Sequence, residues 1–507
     1  MFFIIQEVIM NKYIDIPQHT TINEIIGKNY SLSATQYKTF CINNKNCKLL
    51  SELLSRDLRR SDLGSEVGSE CYVDTSDYYF IKTKALQPET LLLNITKESY
   101  QPIAPQNFVQ MGLKAGDILI SKDSNVGEIA ILDRDLPEAM LCGAIYRLPI
   151  SEYKYYILAM IKSDLFRQQI DFLVPRGSTI RHGKTKFLEC KIPFPNNLVD
   201  DTIKYIELLT KAIINKEKKI QTLHKKILDL IQQELQSNQK DNEFTFSPPT
   251  LNEIILLDRM DSCLYTPMFK KKEFLIKNYL YGTSTISELG FKISRGQNLQ
   301  ISNIGKSIQT KEKCPNYYKL ILPKHISIYG TVKEDEYLGN PNELKTLKVG
   351  DIIFGAEGNE KGRSLVVIES MDRTITNIHG ITLNQESHNM SKGIFVKLFL
   401  DYLRNQGMID AYAVGGNGGS LAIKYWDYLK FPNFPTEKED EIVQLYHNDK
   451  LIYKSSNTNL ETFSAYDTKF NNEAGIYEIQ KSLNYLKGKL DLAIQNIAND
   501  ITVDISF

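Results

Sequence analysis

Isoleucine and leucine recur in three- and four-residue steps over residues 206–230. Ile206, Ile213, Ile220 and Ile227 fall at one heptad position and Leu209, Leu223 and Leu230 at the other. A repeat of that period lines one seam of a helix, so it predicts a coiled-coil helix over residues 198–237. Lys216 interrupts the stripe. A lysine there is expected to lay its stem along the seam and carry its ammonium out to water. Asp200 and Asp201 suit the positive end of the helix, and the paired prolines after the polar run at 238–250 mark a linker. A second seam follows near the end of the chain, with Ile476, Leu483, Leu490 and Ile497 at one position and Ile479, Leu486 and Ala493 at the other. Each seam alone would leave a long apolar stripe in water, so the two are expected to pair, antiparallel in the simplest arrangement. A helical strip of about 33 residues would be about 50 Å long.

Ahead of the first seam the periodicity shortens. "YVDTSDYYFIKTKAL" at 72–86 and "GDILISKDSNVGEIAIL" at 116–132 carry β-branched and aromatic residues broken by turn formers, which predicts strands. Residues 152–173 carry apolar positions at helical spacing. The order is too irregular for alternating β and α units, so the fold class is α+β rather than a doubly wound parallel sheet. The same blocks return in the same order. "LKAGDI" at 113–118 is echoed by "LKVGDI" at 347–352, "LSEL" at 50–53 by "ISEL" at 286–289, "LSATQY" at 32–37 by "MDSCLY" at 260–265, and "KIPFP" at 191–195 by "KFPNFP" at 430–435. Separations this long mark a repeated domain, not a solenoid. The expected boundaries are a lead at 1–30, a first domain at 31–197, helix 198–237, linker 238–250, a second domain at 251–435 and a helical region at 436–507, in which 451–474 reads as a polar loop or frayed helix.

The chain has 507 residues, 42% hydrophobic and 24% charged, with a formal net charge of zero. That is enough for two cores, and the neutral balance weighs against free-standing, non-specific binding to a polyanion. The basic runs at 56–60, 176–186 and 270–272 are candidate local patches, with a solvated face as the plain alternative. Seven cysteines without a CxxC pair read as free thiols in a reducing compartment. The apolar start is short, without a basic region or cleavage site, and no other stretch is long enough to span a bilayer, so a cytoplasmic location is expected. Either Met1 or Met10 serves as a start.

The order of "RGSTIRHGKTKFLECKIPFP" at 176–195, a long heptad helix, a repeat of the same domain and a second helix resembles the specificity subunit of type I restriction–modification systems. The likeness covers nearly the whole chain. It implies two target recognition domains separated by an antiparallel two-helix coiled coil with pseudo-twofold symmetry, each domain reading half of a bipartite double-stranded DNA sequence. It further implies that the coiled coil docks two methyltransferase subunits, that restriction subunits can join, and that the complex defends against foreign DNA. S-adenosylmethionine would belong to the partner methyltransferase, leaving this chain without a cofactor and without catalysis. The lead before residue 30 and the stretch at 451–474 depart from the pattern.

Motif chemistry agrees with a non-enzyme. There is no glycine-rich cofactor loop with an Asn-Pro-Pro-aromatic motif, no Walker lysine, no nuclease carboxylate cluster and no metal-spaced histidine pair. "VGGNGGS" at 414–420 reads as a flexible turn aligned with "PRGSTI" of the first copy, and His182, the one histidine inside a basic loop, as an ordinary loop residue ahead of a DNA contact. Gly116 with Asp117 and Gly350 with Asp351 read as turns entering strands. Base readout needs Arg or Lys for guanine and Asn or Gln for adenine. Loop residues of those types are Arg59, Arg60, Lys122, Asn125, Arg176, Ser178, Thr179 and Arg181 in the first copy, and Arg295, Gln297, Asn298, Asn359, Lys361, Arg363 and Asn417 in the second. Two other functions stay open, a two-headed protein-binding scaffold without DNA affinity and a DNA-modifying enzyme with an unrecognised motif.

Overall fold

A computed structural model describes residues 13–15, 17–174, 181–369, 373–415 and 419–507, with the side chains of residues 34, 35 and 359 left out. The chain divides into two compact units. The first comprises residues 1–218, 453–472 and 481–507, and the second residues 219–452 and 473–480.

In the first unit, strands β1 (Tyr79–Ile81), β2 (Tyr100–Pro102), β3 (Ile118–Ser121), β4 (Ile129–Ile131), β5 (Ala139–Leu141) and β6 (Ile145–Leu148) form two three-stranded sheets, in the orders β2-β1-β5 and β4-β3-β6. The β1–β5 pair is parallel, with Phe80 opposite Met140, and the other ladders are antiparallel. Phe80, Ile81, Leu119, Ala130, Leu141 and Ile145 all lie in one core cluster. Each large apolar side chain so buried contributes roughly 1.5–3 kcal/mol, which offsets the ordering cost of such short strands. Helices α1 (Ile22–Gly27), α2 (Lys154–Lys162) and α3 (Asp164–Leu173) complete the unit with the first half of the long helix α4 (Val199–Ser237). The helix expected over 152–173 is therefore two helices. Ser163 leaves the helical region at ψ 160° and its hydroxyl accepts from the Phe166 amide at 3.4 Å, ending one helix and capping the next.

The second unit repeats this plan. Helices α5 (Leu251–Leu257) and α6 (Pro267–Lys277) precede β7 (Phe291–Arg295), β8 (Ile308–Thr310), β9 (Tyr318–Leu320), β10 (Tyr337–Gly339), β11 (Ile352–Gly355), β12 (Ser364–Val366), β13 (Thr374–Ile375) and β14 (Gly380–Gln385). Their sheets run β7-β14-β11-β12 and β8-β10-β9-β13, and again one pair, β9 with β13, is parallel. Helices α7 (Met390–Asn405), α8 (Met408–Tyr412) and α9 (Thr436–Tyr446) follow. The repeated turn is the same down to single bonds. Gly116 and Gly350 take φ of 85° and 87°, and their amides donate at 2.8 Å to the carbonyls of Leu132 and Val367. The Asp117 and Asp351 carboxylates each accept from the amide three residues back at 2.9 Å. Glycine reaches that left-handed conformation without the Cβ clash other residues suffer.

A further repeated block starts ahead of the expected first domain and at the opening of the second. "TINEII" at 21–26 and "TLNEII" at 250–255 both form a capping box, Thr21 with Glu24 and Thr250 with Glu253, opening α1 and α5. Ile22 and Leu251, Ile26 and Ile255, and Leu32 and Met260 are all exposed at matching positions.

Helix α4 contains neither glycine nor proline, and Asp200 and Asp201 lie in its first turn. Ile206, Leu209, Ile213, Ile220, Leu223 and Ile227 are buried, as are Ile476, Ile479, Leu483, Leu486, Leu490, Ala493 and Ile497 of α11 (Ile476–Ala498). Leu230 is only half-buried and the next turns bury Ile231 and Leu235 instead. In the first unit, Asn196 donates to Asp500 at 2.6 Å and Lys487 to Glu217 at 2.9 Å, so the two helices run antiparallel there. Lys216 does not reach water. Helix α10 (Phe463–Glu473), formed where a loop or frayed helix was expected, covers that face, and the fully buried ammonium lies 2.7 Å from Asp467 and 2.8 Å from Asn471. Tyr453 stacks over it at 4.4 Å. Burial lowers the lysine's affinity for its proton and Asp467 opposes that shift.

Candidate nucleic-acid interface

In each unit the loops leaving β3 and β11 collect polar side chains at one end of the sheet. In the first unit the strand ladder stops at Ser121, and residues 122–128 turn back into β4. Residues 181–183 lie alongside, with the Ser124 amide donating to the Arg181 carbonyl and the Gly183 amide to the Lys122 carbonyl, both at 2.8 Å. Gly183 permits that approach, because a Cβ there would sit 2.3 Å from Val126.

Of the expected contact residues, Arg59 and Arg60 are exposed, and Arg60 donates to the Gly64 carbonyl at 3.1 Å. Arg56 of the same basic run is structural. It grips the buried Asp62 through two bonds of 2.6 and 2.7 Å and holds that carboxyl below the usual carboxylate range. Lys122 pairs with Asp123 at 3.1 Å. Asn125 turns inward and donates to the carbonyls of Thr83 and Leu86 at 3.0 and 2.7 Å. Arg181 is largely buried against Asp171 at 2.8 Å. Arg176, Ser178 and Thr179 lie outside the described residues.

In the second unit the corresponding loop runs from Ala356 to Arg363, and the Leu421 amide donates to Ala356 at 3.0 Å, in the place of Gly183. Arg295 bonds Glu357 at 3.1 Å on the open surface. Gln297 and Asn298 are half-buried beside the turn between β13 and β14, where the Gln297 amide donates to the Thr376 carbonyl at 2.8 Å. Lys361 pairs with Asp410 at 3.1 Å, and Arg363 donates to the Ile326 carbonyl at 3.1 Å. Asn359 belongs to a short turn of 3-10 helix, Gly358–Glu360, and Asn417 lies outside the described residues. The structure thus brings Arg60, Lys122, Arg295, Gln297 and Asn298 to the strand-end loops with accessible atoms, and folds Asn125 and Arg181 into the scaffold.

Sequence reasoning passed over three features. Gly64 and Gly296 let a strap lie against the β5–β6 and β13–β14 turns, since a Cβ would meet the Cys142 and Asn377 carbonyls at 2.1 and 2.2 Å. Their signal was spacing, because they stand as far apart as the other paired blocks. His182 and His379 each face a loop carboxylate, Asp123 at 3.0 Å and Glu357 at 2.9 Å. Polar residues of α4 anchor each unit: Glu217 accepts from Thr90 and the Leu91 amide at 2.8 Å, and His224 meets Asp401 at 3.2 Å.

Among the described residues no group of three His, Cys, Asp or Glu side chains is placed to hold a metal ion, and no helix is long and apolar enough to cross a membrane. No protein-family model and no curated protein matches the sequence. Solved structures do. A type I restriction–modification system S subunit from M. genitalium aligns over 90% of this chain and 96% of its own, at 13% identity and a TM-score of 0.37. A chain from a structure of complex assembly and conformational transition in the type I R-M system aligns over 91% and 99%, at 10% identity and a TM-score of 0.28. The HsdS subunit from Thermoanaerobacter tengcongensis aligns over 90% and 97%, at 11% identity and a TM-score of 0.26. Each of these alignments spans about nine-tenths of this chain, and two of the three aligned chains are named as S subunits.

Proposed function

We propose that this chain is the DNA sequence-recognition subunit of a type I restriction–modification complex, non-catalytic itself and located in the cytoplasm. Each unit reads one half of a bipartite duplex target with its strand-end loops. The paired long helices dock two methyltransferase subunits, which bind S-adenosylmethionine, and leave room for restriction subunits to join. One observation carries this reading. Two units share sheet order, turns and strap glycines, yet the loops at the same sheet end differ in sequence and side-chain chemistry. A kept scaffold with altered loops is what two half-sites of different sequence require.

The test is to map modified adenines in DNA from cells that hold the chain with its methyltransferase partner, then to replace residues 251–435 with the matching domain of a relative. One half of the modified motif should change while the other half stays. A motif that changes throughout, or no motif at all, overturns the proposal. Zero net charge and the repeated exposed apolar trio favour a second reading, a two-headed protein scaffold. That reading requires the assembled complex to show no salt-dependent affinity for duplex DNA.

A further inference from the structure

The two loop clusters share a constellation that the aligned sequence does not contain. In the first unit His182 comes from the segment beside the β3–β4 loop, and its Nδ1 lies 3.0 Å from Asp123 Oδ1. Lys122 contacts the other oxygen of the same carboxylate at 3.1 Å. In the second unit the place beside the loop is taken by Ser420, which bridges to Glu357 through the backbone. The histidine there arrives on a different element, the turn joining β13 to β14, and His379 Nδ1 lies 2.9 Å from Glu357 Oε2. Arg295 contacts the other Glu357 oxygen at 3.1 Å. Asp123 and Glu357 hold the same position, one residue past the matched Lys122 and Ala356. Each unit has therefore built a carboxylate, an imidazole and a cation at one point of the scaffold from non-equivalent residues.

Stability does not explain such a convergence. The imidazoles are 66% and 61% exposed, and exposed ion pairs contribute between nothing and about 1 kcal/mol. What the carboxylate does supply is orientation. With Nδ1 turned toward an anion, the ring proton is held on that nitrogen and Nε2 is left on the open side. Neutral, Nε2 accepts from an exocyclic amino group of a base. Protonated, it donates to a phosphate oxygen or to guanine N7 or O6. The neighbouring cation keeps the carboxylate from presenting bare negative charge to a polyanion.

We propose that His182 and His379 are DNA-contacting residues, one in each unit, and that Asp123 and Glu357 are the positioning residues that aim them at the duplex. This rests on the DNA-recognition reading above. The experiment uses the full chain in complex with its methyltransferase and a labelled duplex carrying the mapped motif, with affinity read by fluorescence anisotropy. His182→Ala and His379→Ala should each weaken binding roughly tenfold, about 1.4 kcal/mol, with an unchanged melting temperature. Asp123→Asn and Glu357→Gln keep the rings and should weaken binding several-fold. His379→Ala should cost nothing further on a duplex whose second half-site is scrambled, while His182→Ala still should. If the unmodified complex binds and both alanine variants stay within twofold of it, this inference is wrong and the recognition reading stands. If the unmodified complex fails to bind the duplex, both fall. Should an alanine variant lose its fold, His182→Gln and His379→Gln are measured against the same thresholds.

Discussion

The two units solve one packing problem with different side-chain chemistry. Each must seat a stretch of α4 without leaving a buried polar group alone. In the first unit the helix contributes an acceptor, Glu217, which takes hydrogen bonds from Thr90, the Leu91 amide and Lys487. In the second it contributes His224, which meets an Asp401 already paired with the buried Lys397 at 2.8 Å. Burial pushes the Asp401 carboxyl up, and Lys397 with His224 more than reverses it, so the aspartate stays ionised. The backing helices differ too, interrupted at Ser163 in one unit and running unbroken from Met390 to Asn405 in the other. Each sheet of the second unit carries one strand more, but the shared strands keep their order. Backbone pairing and a shared turn fix the scaffold, whereas buried charge demands only that some partner be present, so its chemistry drifts between copies.

The largest effect that can break this comparison is the removal of one buried partner. Asp467→Ala strands the Lys216 ammonium and should destabilise the first unit by about 3–5 kcal/mol, read by denaturant unfolding, with hydrogen exchange rising there before it rises in the second unit. A change below about 1 kcal/mol would mean that the lysine finds water after all. Next come the strap glycines. Gly64→Ala and Gly296→Ala each set a Cβ against a carbonyl and should cost roughly 1–3 kcal/mol in melts of each variant. Unequal costs would show that the two straps are not equivalent.

A subtler test concerns pH, and it separates the units. Burial holds His224 below the ordinary histidine value, with the Asp401 bond opposing it. As pH falls through about 6.5 the unfolded chain takes up the proton first, so stability is fully present above that value and drains away below it. Melting temperature should therefore decline from about pH 7.5 to about pH 5.5, and His224→Gln should flatten that slope; an unaltered slope would assign the loss to other groups. The smallest effect is expected at the exposed trio. Ile22→Ser and Leu251→Ser remove no packing and should shift stability by less than about 0.5 kcal/mol.

The duplication and the seams were legible in sequence because both are periodic. The seam stops following its heptads at Leu230, where the buried positions move to Ile231 and Leu235. The block at 21–26 was equally legible, and its match at 250–255 places α1 in the repeat rather than in a lead. Less of the interface was legible. Arg and Asn types in loops do not say which way a side chain turns, and Asn125 turned inward to satisfy two carbonyls. His182 and His379 share no aligned position, so nothing along the chain connects them.

By itself the sequence determined the local rules: an apolar period that makes α4 and α11 helical, glycines that admit a left-handed turn at 116 and 350, and a mixed α and β scaffold written twice. Tertiary structure decided where charge goes. Whether Lys216 reaches water depends on a helix some 250 residues later in the chain covering it, and whether a histidine meets a carboxylate depends on which loop passes by. Periodicity acts between neighbours in sequence, whereas the desolvation and pairing of a charge depend on everything that approaches it in space.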